Sequence, residues 1–202
     1  MKKYLVVVDV QKDFCEGGKL AVNGGKDIAK KIYNFIKSNK EKFDTVIFTK
    51  DNHPDNHCSF KNNGGMWPEH CVKNTDGAEF AEKYIELFED KQRTLSELPF
   101  KIILKGENPN IEQYGVSCGA NFVPEDGDEY YVTGIALDYC VKECAKMTAK
   151  VHPNAKIFIL EDMTAKINQE LLRGFNRDSF IKSITIDAPN VELVNSYDAF
   201  RE

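Results

Sequence analysis

Tyr130-Tyr131-Val132-Thr133-Gly134-Ile135-Ala136-Leu137-Asp138-Tyr139-Cys140-Val141 passes from a strand pattern to a helix pattern without an intervening loop. The aromatic and β-branched residues 130–133 favour a strand, Gly134 permits a tight turn, and Asp138 is a good N-cap for a helix from Tyr139 onward. Cys140 then falls in the first helical turn, where unpaired N–H groups and the positive end of the helix dipole favour thiolate over thiol. The plain alternative is that Cys140, like most free cysteines, is a small inert core residue. The rest of the chain decides between them.

The same alternation runs from end to end. Strands are predicted at Tyr4 to Val10, Thr45 to Thr49, Lys101 to Leu104, Glu129 to Thr133, Lys156 to Leu160 and Ser183 to Ile186. Most are continuous apolar runs, as strands covered on both faces require. Between them, Ile28, Ile32, Phe35 and Ile36 fall on one helical face, as do Val141, Cys144, Ala145 and Thr148. Leu171, Leu172, Phe175 and Phe180 mark a further helix with Asn168 as its cap. The pattern predicts an α/β fold, a single domain over residues 1–202 with a mostly parallel sheet flanked by helices on both faces. Residues 51–77 interrupt it with a segment rich in Asn, His, Gly and Pro that holds Trp67 and three of the four histidines. So long a loop in a compact domain points to function.

Composition narrows the partners. A formal charge of -5, with acidic and basic residues interspersed, offers no basic stripe for nucleic acid. No apolar run approaches the ~18 residues of a membrane span, and the apolar run at Tyr4 to Val10 is broken by Asp9, unlike a signal peptide. A cytoplasmic location is expected. The six cysteines form no CxxC pair and are too sparse for a disulfide scaffold, so reduced thiols are expected.

Ligands of open parallel sheets bind beyond the carboxyl ends of the strands. Here the first strand ends at Asp9, the second at Asp51 with His53 just after, the third at Lys105, and the fourth leads to Cys140. Singly, Asp9 is explained as a turn cap and Lys105 as a solvated strand end. Together they bring an acid, a pair of metal-ligand type, a cation and a thiol to one rim.

These residues carry a resemblance. Val8-Asp9-Val10-Gln11-Lys12-Asp13-Phe14, Lys105-Gly106 and Gly134 to Val141 look like the opening, lysine and nucleophile motifs of the isochorismatase-like cysteine hydrolases, in the same order and spacing. Asp51-Asn52-His53-Pro54-Asp55-Asn56-His57 and Trp67-Pro68-Glu69-His70-Cys71 resemble the metal and ring-binding segments of the nicotinamidase branch, also called pyrazinamidases. The resemblance implies hydrolysis of nicotinamide to nicotinate and ammonia through a thioester, in NAD salvage. It also implies an oxyanion hole from the N–H groups of Ala136 and Cys140 and a cis peptide between Ile135 and Ala136. Pyrazinamide-like substrates and homo-oligomers occur among such relatives. Two departures lie near the pocket: Gly115 and Val116 follow Tyr114, and Asn52 stands where an aromatic is common.

Residue chemistry agrees with this. Ammonia leaves an amide only when protonated, so a base must take the thiol proton and return it to nitrogen. Asp9, in a partly apolar pocket that raises its pKa, suits that task, and Lys105 supplies the opposing charge. Asp9, Lys105 and Cys140 are therefore the predicted catalytic triad. Asp51 and His53 point to the same side of an extended segment, and His70 is the natural third ligand for one divalent metal, Zn²⁺ first, with Fe²⁺ or Mn²⁺ as alternatives. His57 stands as a candidate additional ligand. Phe14, Trp67 and Tyr114 are the predicted walls for a flat heterocycle, while Asp55, Cys58 and His152 are expected at the surface. Two other readings of the same residues stay open: a metal-free N-carbamoyl or ureido-acid hydrolase, and a zinc-stabilised binding module without chemistry. A redox pair of Cys140 and Cys144 lacks the CxxC geometry.

Overall fold

The computed structural model describes residues 1–87, 100–118, 127–167 and 176–200. Six strands form one sheet: β1 (Lys3–Val8), β2 (Thr45–Asp51), β3 (Phe100–Lys105), β4 (Glu129–Ile135), β5 (Lys156–Ala165) and β6 (Val191–Val194). Their order is β3-β2-β1-β4-β5-β6, and every pairing is parallel. The order reverses between β1 and β4, so the crevice beyond the carboxyl ends of these two strands is the topological switch point. Four α-helices accompany the sheet among the described residues: α1 (Gly25–Asn39), α2 (Lys142–Val151), α3 (Arg177–Thr185) and the short α4 (Ser196–Ala199). None of them is long and apolar enough to cross a membrane.

Alternate residues of β1 explain why its run is apolar throughout. Leu5 and Val7 enter one core with Ala29, Ile32 and Ile36 of α1, while Tyr4, Val6 and Val8 enter the other with Cys144, Ala145 and Ala149 of α2. Both faces of the sheet are thus covered, as expected. Fully burying each such aliphatic side chain contributes roughly 1.5–3 kcal/mol, so the central strands are the firmest part of the fold and the frame for what their ends carry.

The sixth strand lies elsewhere than predicted. Ser183 to Ile186 alternates polar and apolar like a strand, yet its residues through Thr185 complete α3. Asn176 starts that helix by accepting the Ser179 N–H at 3.0 Å, and only Ile184 of the helix is buried, whereas Ile186 is 81% exposed. The shorter Val191–Val194 pairs with β5 instead. Asn168, Leu171, Leu172 and Phe175 lie outside the described residues, while Phe180 packs on the core from α3.

β4 runs two residues further than expected, through Gly134 and Ile135, and its register on β5 shifts after Val132. Gly134 opposes Val8 with φ of 116°, and a β-carbon there would come within 2.1 Å of the Val8 carbonyl oxygen. Only glycine lets β4 lie this close to β1 at the switch point. Gly134→Ala is expected to lower stability by at least ~2 kcal/mol in urea denaturation.

Candidate active site

Three adjacent strands deliver three charged side chains to one point. Lys105, the last residue of β3, is 1% exposed; its Nζ lies 2.9 Å from Asp9 Oδ2, contacts Asp51 Oδ1 and sits 3.7 Å from Cys140 Sγ. Asp9 follows β1 directly in the left-handed region at φ of 48°. Thr49 of β2 holds it there: the Asp9 N–H donates to Thr49 O at 3.2 Å, and the Thr49 hydroxyl donates to Asp9 Oδ1 at 2.7 Å. Carboxylate oxygens of Asp9 and Asp51 and the Cys140 sulfur all lie within 4.8 Å of one another. The predicted triad is therefore assembled around one buried ammonium.

Burial pushes the Asp9 carboxyl up to about 6, against the pull of Lys105 and with a further push from Asp51. Burial would raise Asp51 as well, but Lys105 and His53 outweigh it and hold Asp51 below the ordinary carboxylate range. Lys105 resists the same burial because Asp51 and Asp9 face it, which keeps it well above its ordinary value and charged. Cys140 corrects the expectation of a resting thiolate. Burial pushes it well above its ordinary value; Lys105 opposes this, and Asp9 and Asp51 add to it. The helix end is also built differently. Leu137–Val141 form a π-helical turn leading into α2, and Asp138 is no N-cap: its Oδ1 accepts the Ile167 N–H at 3.1 Å. The Ile135–Ala136 peptide is cis.

Beside the triad, Asp51, His53 and His70 place ligand atoms within 4.8 Å of one another, all buried. His53 Nδ1 donates to Gly106 O at 2.9 Å and His70 Nδ1 donates to Pro68 O at 2.7 Å. In the neutral ring each bond fixes the tautomer that leaves Nε2 with a free lone pair, as metal-binding imidazoles require; burial lowers both rings, but for His53 the Asp51 carboxylate, 3.7 Å from Nε2, outweighs it and raises the ring above its ordinary value. Two such nitrogens and a carboxylate held ionised fit a divalent cation with open coordination positions. His57 does not join them. Its Nε2 donates to Ile111 O at 3.1 Å, Ser59 bonds its Nδ1 at 2.7 Å, and its ring lies against that of His53 at 4.1 Å between centroids. With both nitrogens occupied, it braces the site as a neighbour.

A narrow cleft joins the two centres. Phe14, Trp67 and Tyr114 line it with Cys140 and the three metal-type residues. The Trp67 indole N–H donates to the Tyr114 hydroxyl at 2.9 Å, and Tyr139 packs edge-on to Trp67 at 5.2 Å. Asp55 is exposed and Cys58 partly so, but His152 is 2% exposed and stacks on Tyr130 at 5.4 Å, which overturns its surface placement.

Some supporting residues carry no sequence signal of their own. Gln11, fully buried, donates to Asp51 O and Ala78 O and accepts the Asp51 N–H, each at 2.8 Å. Asp13 accepts the Cys71 N–H at 2.7 Å, so the opening motif ties the second strand to the histidine loop. Tyr139, Glu112, Gln113, Leu20 and Ile167 also line the cleft unpredicted. Gln11 and Asp13 had only their place in the opening motif, and Tyr139 only its place beside the nucleophile.

An acid, an ammonium and a thiol gathered at the switch point of a parallel sheet are the equipment of an α/β cysteine hydrolase. The isochorismatase domain matches residues 3–175, and the chain belongs to that family. It is 33% identical over 174 residues to the nicotinamidase/pyrazinamidase of Mycobacterium tuberculosis, covering 82% of this chain and 88% of that protein. Among solved structures it is similar to the pyrazinamidase of Pyrococcus horikoshii in complex with zinc, at a TM-score of 0.71 and 31% identity over 96% of this chain and 99% of that one. It is also similar to the yeast nicotinamidase bound to the inhibitor nicotinaldehyde, at a TM-score of 0.77 and 26% identity over 96% and 100% of the two chains.

Gly106 lies under the His53 ring at φ of 66°, where a β-carbon would come within 2.3 Å of Cε1. Gly106→Ala should displace that ring and weaken divalent-metal uptake by about 10-fold or more, read by metal titration of the chelator-treated protein.

Proposed function

We propose that this protein is a nicotinamidase that hydrolyses nicotinamide to nicotinate and ammonia, in NAD salvage, and that pyrazinamide-like amides are within its range. The observation that carries this reading is one cleft lined by the thiol, a two-histidine and one-carboxylate donor set, and aromatic side chains. The curated relatives named nicotinamidase support it.

Asp9, Lys105 and Cys140 act as the triad. As Cys140 sulfur bonds to the carboxamide carbon, its proton passes to Asp9. A carboxyl near pH 6 is suited to take that proton and then give it to the leaving nitrogen. N–H groups of Ala136 and Cys140 would stabilise the oxyanion, with the Lys105 charge nearby. Ammonia departs, a thioester remains on Cys140, and water activated by Asp9 releases the acid. Phe14, Trp67 and Tyr114 hold the ring. Asp51, His53 and His70 would hold one divalent metal, zinc foremost, which when bound supplies an acceptor for the pyridine nitrogen and so orients the ring. The zinc complex of the Pyrococcus horikoshii pyrazinamidase supports that choice. A metal-free N-carbamoyl hydrolase has no use for this donor set, and a bare binding module has none for the triad.

Ammonia release from nicotinamide tests the reading. Chelation should abolish it and added zinc restore it, while Cys140→Ala should abolish it and leave a folded protein; full turnover after complete metal removal would sink the proposal. The pH dependence follows from Asp9. Its base form is lost as pH falls through about 6, so kcat/KM should drop about tenfold per pH unit below that point, and a profile flat to pH 4 would remove Asp9 as the base.

A further inference from the structure

Gly106 occupies a critical place with little of its own to hold it. The β2 to β3 register ends at Asp51 opposite Lys105, so Gly106 is the first residue beyond the ladder. Its carbonyl accepts the His53 Nδ1–H at 2.9 Å, and a rotation of this residue would turn that acceptor away. Glycine is needed there because the His53 ring fills the space of a side chain. Glycine is also the residue that resists rotation least. Something outside Gly106 must therefore fix its orientation.

Gln113 supplies that constraint. Its Oε1 accepts the Gly106 N–H at 3.0 Å, so both polar backbone atoms of Gly106 are held, one by Gln113 and one by His53. The main-chain oxygen of Gln113 also accepts from Lys105 Nζ at 3.5 Å, which anchors the residue against the triad. We infer that Gln113 is a positioning residue for the metal centre: by pinning Gly106 it sets the tautomer and direction of His53, and through them the affinity of the Asp51, His53 and His70 site for a divalent cation. Only the acceptor oxygen matters in this role, because the group it meets is an N–H donor. This rests on reading those three residues as a metal site.

The test compares zinc affinity of the metal-stripped full chain by competition with a chromophoric chelator. Gln113→Met, of similar length without an acceptor, should bind zinc about 10-fold or more weakly, and Gln113→Glu, which keeps an acceptor, within about threefold of wild type. If Gln113→Met does not fold, Gln113→Asn, too short to reach Gly106, takes its place with the same expectation. Zinc binding by the acceptor-less variant at wild-type affinity overturns the inference, and so does equal weakening in the Met and Glu variants. A wild-type protein that takes up no zinc is a separate outcome, which overturns the metal-site reading and the inference with it.

Discussion

A lysine ammonium out of reach of water holds this site together. Burying such a charge without partners is prohibitive, and burial with two carboxylates in contact is tolerated only if all three stay in place. Lys105 meets that condition by ending β3 where Asp51 ends β2 and Asp9 follows β1. The electrostatic requirement and the sheet order enforce each other: three neighbouring strands must keep register for the charge to be neutralised.

One cation shared by two acids does not treat them alike. Asp51 has His53 beside it as well and stays ionised, while Asp9, deeply buried and opposed by Asp51, is pushed up to about 6. Two carboxyls of the same type are thereby separated into a permanent anion suited to holding a cation and a proton carrier suited to chemistry. The thiol completes the division. Buried beside these acids, Cys140 keeps its proton at rest, so it becomes a nucleophile only as Asp9 accepts that proton.

The candidate site was legible because type and position coincide: an acid, a lysine and a cysteine, each with a plain reading alone, stand together at the ends of neighbouring apolar runs. Legibility failed where a side chain serves through the backbone. Gln11 grips the N–H and carbonyl of Asp51, forty residues on, and Gln113 the N–H of Gly106 across a turn of the chain, contacts that no local periodicity encodes. It failed also where two periodicities compete, as at Ser183 to Ile186, whose alternation fits a strand but whose chain is already turning in a helix capped at Asn176. Asp138 misled because a residue suited to capping was recruited by Ile167 across the cleft. His152 looked like a loop residue beside Pro153, but aromatic stacking on Tyr130 draws it inside.

The pairing of β1 with β4, Lys3 opposite Glu129 and Val8 opposite Gly134, joins the earliest strand to one that follows more than half the chain later. As the polypeptide emerges during synthesis, β1, β2 and β3 can gather Asp9, Asp51 and Lys105 while the other edge of β1 still waits for its neighbour. Cys140, the thiol that faces Asp9 and Lys105 in the folded protein, is then not yet in place. Contacts so distant in sequence are intrinsically slow to form, and the strand that joins β1 on that side, between it and β5, is the one that leads to the nucleophile. The two sides of the site, the acid and ammonium on one and the thiol on the other, are therefore joined by the pairing that spans the longest stretch of sequence in the sheet.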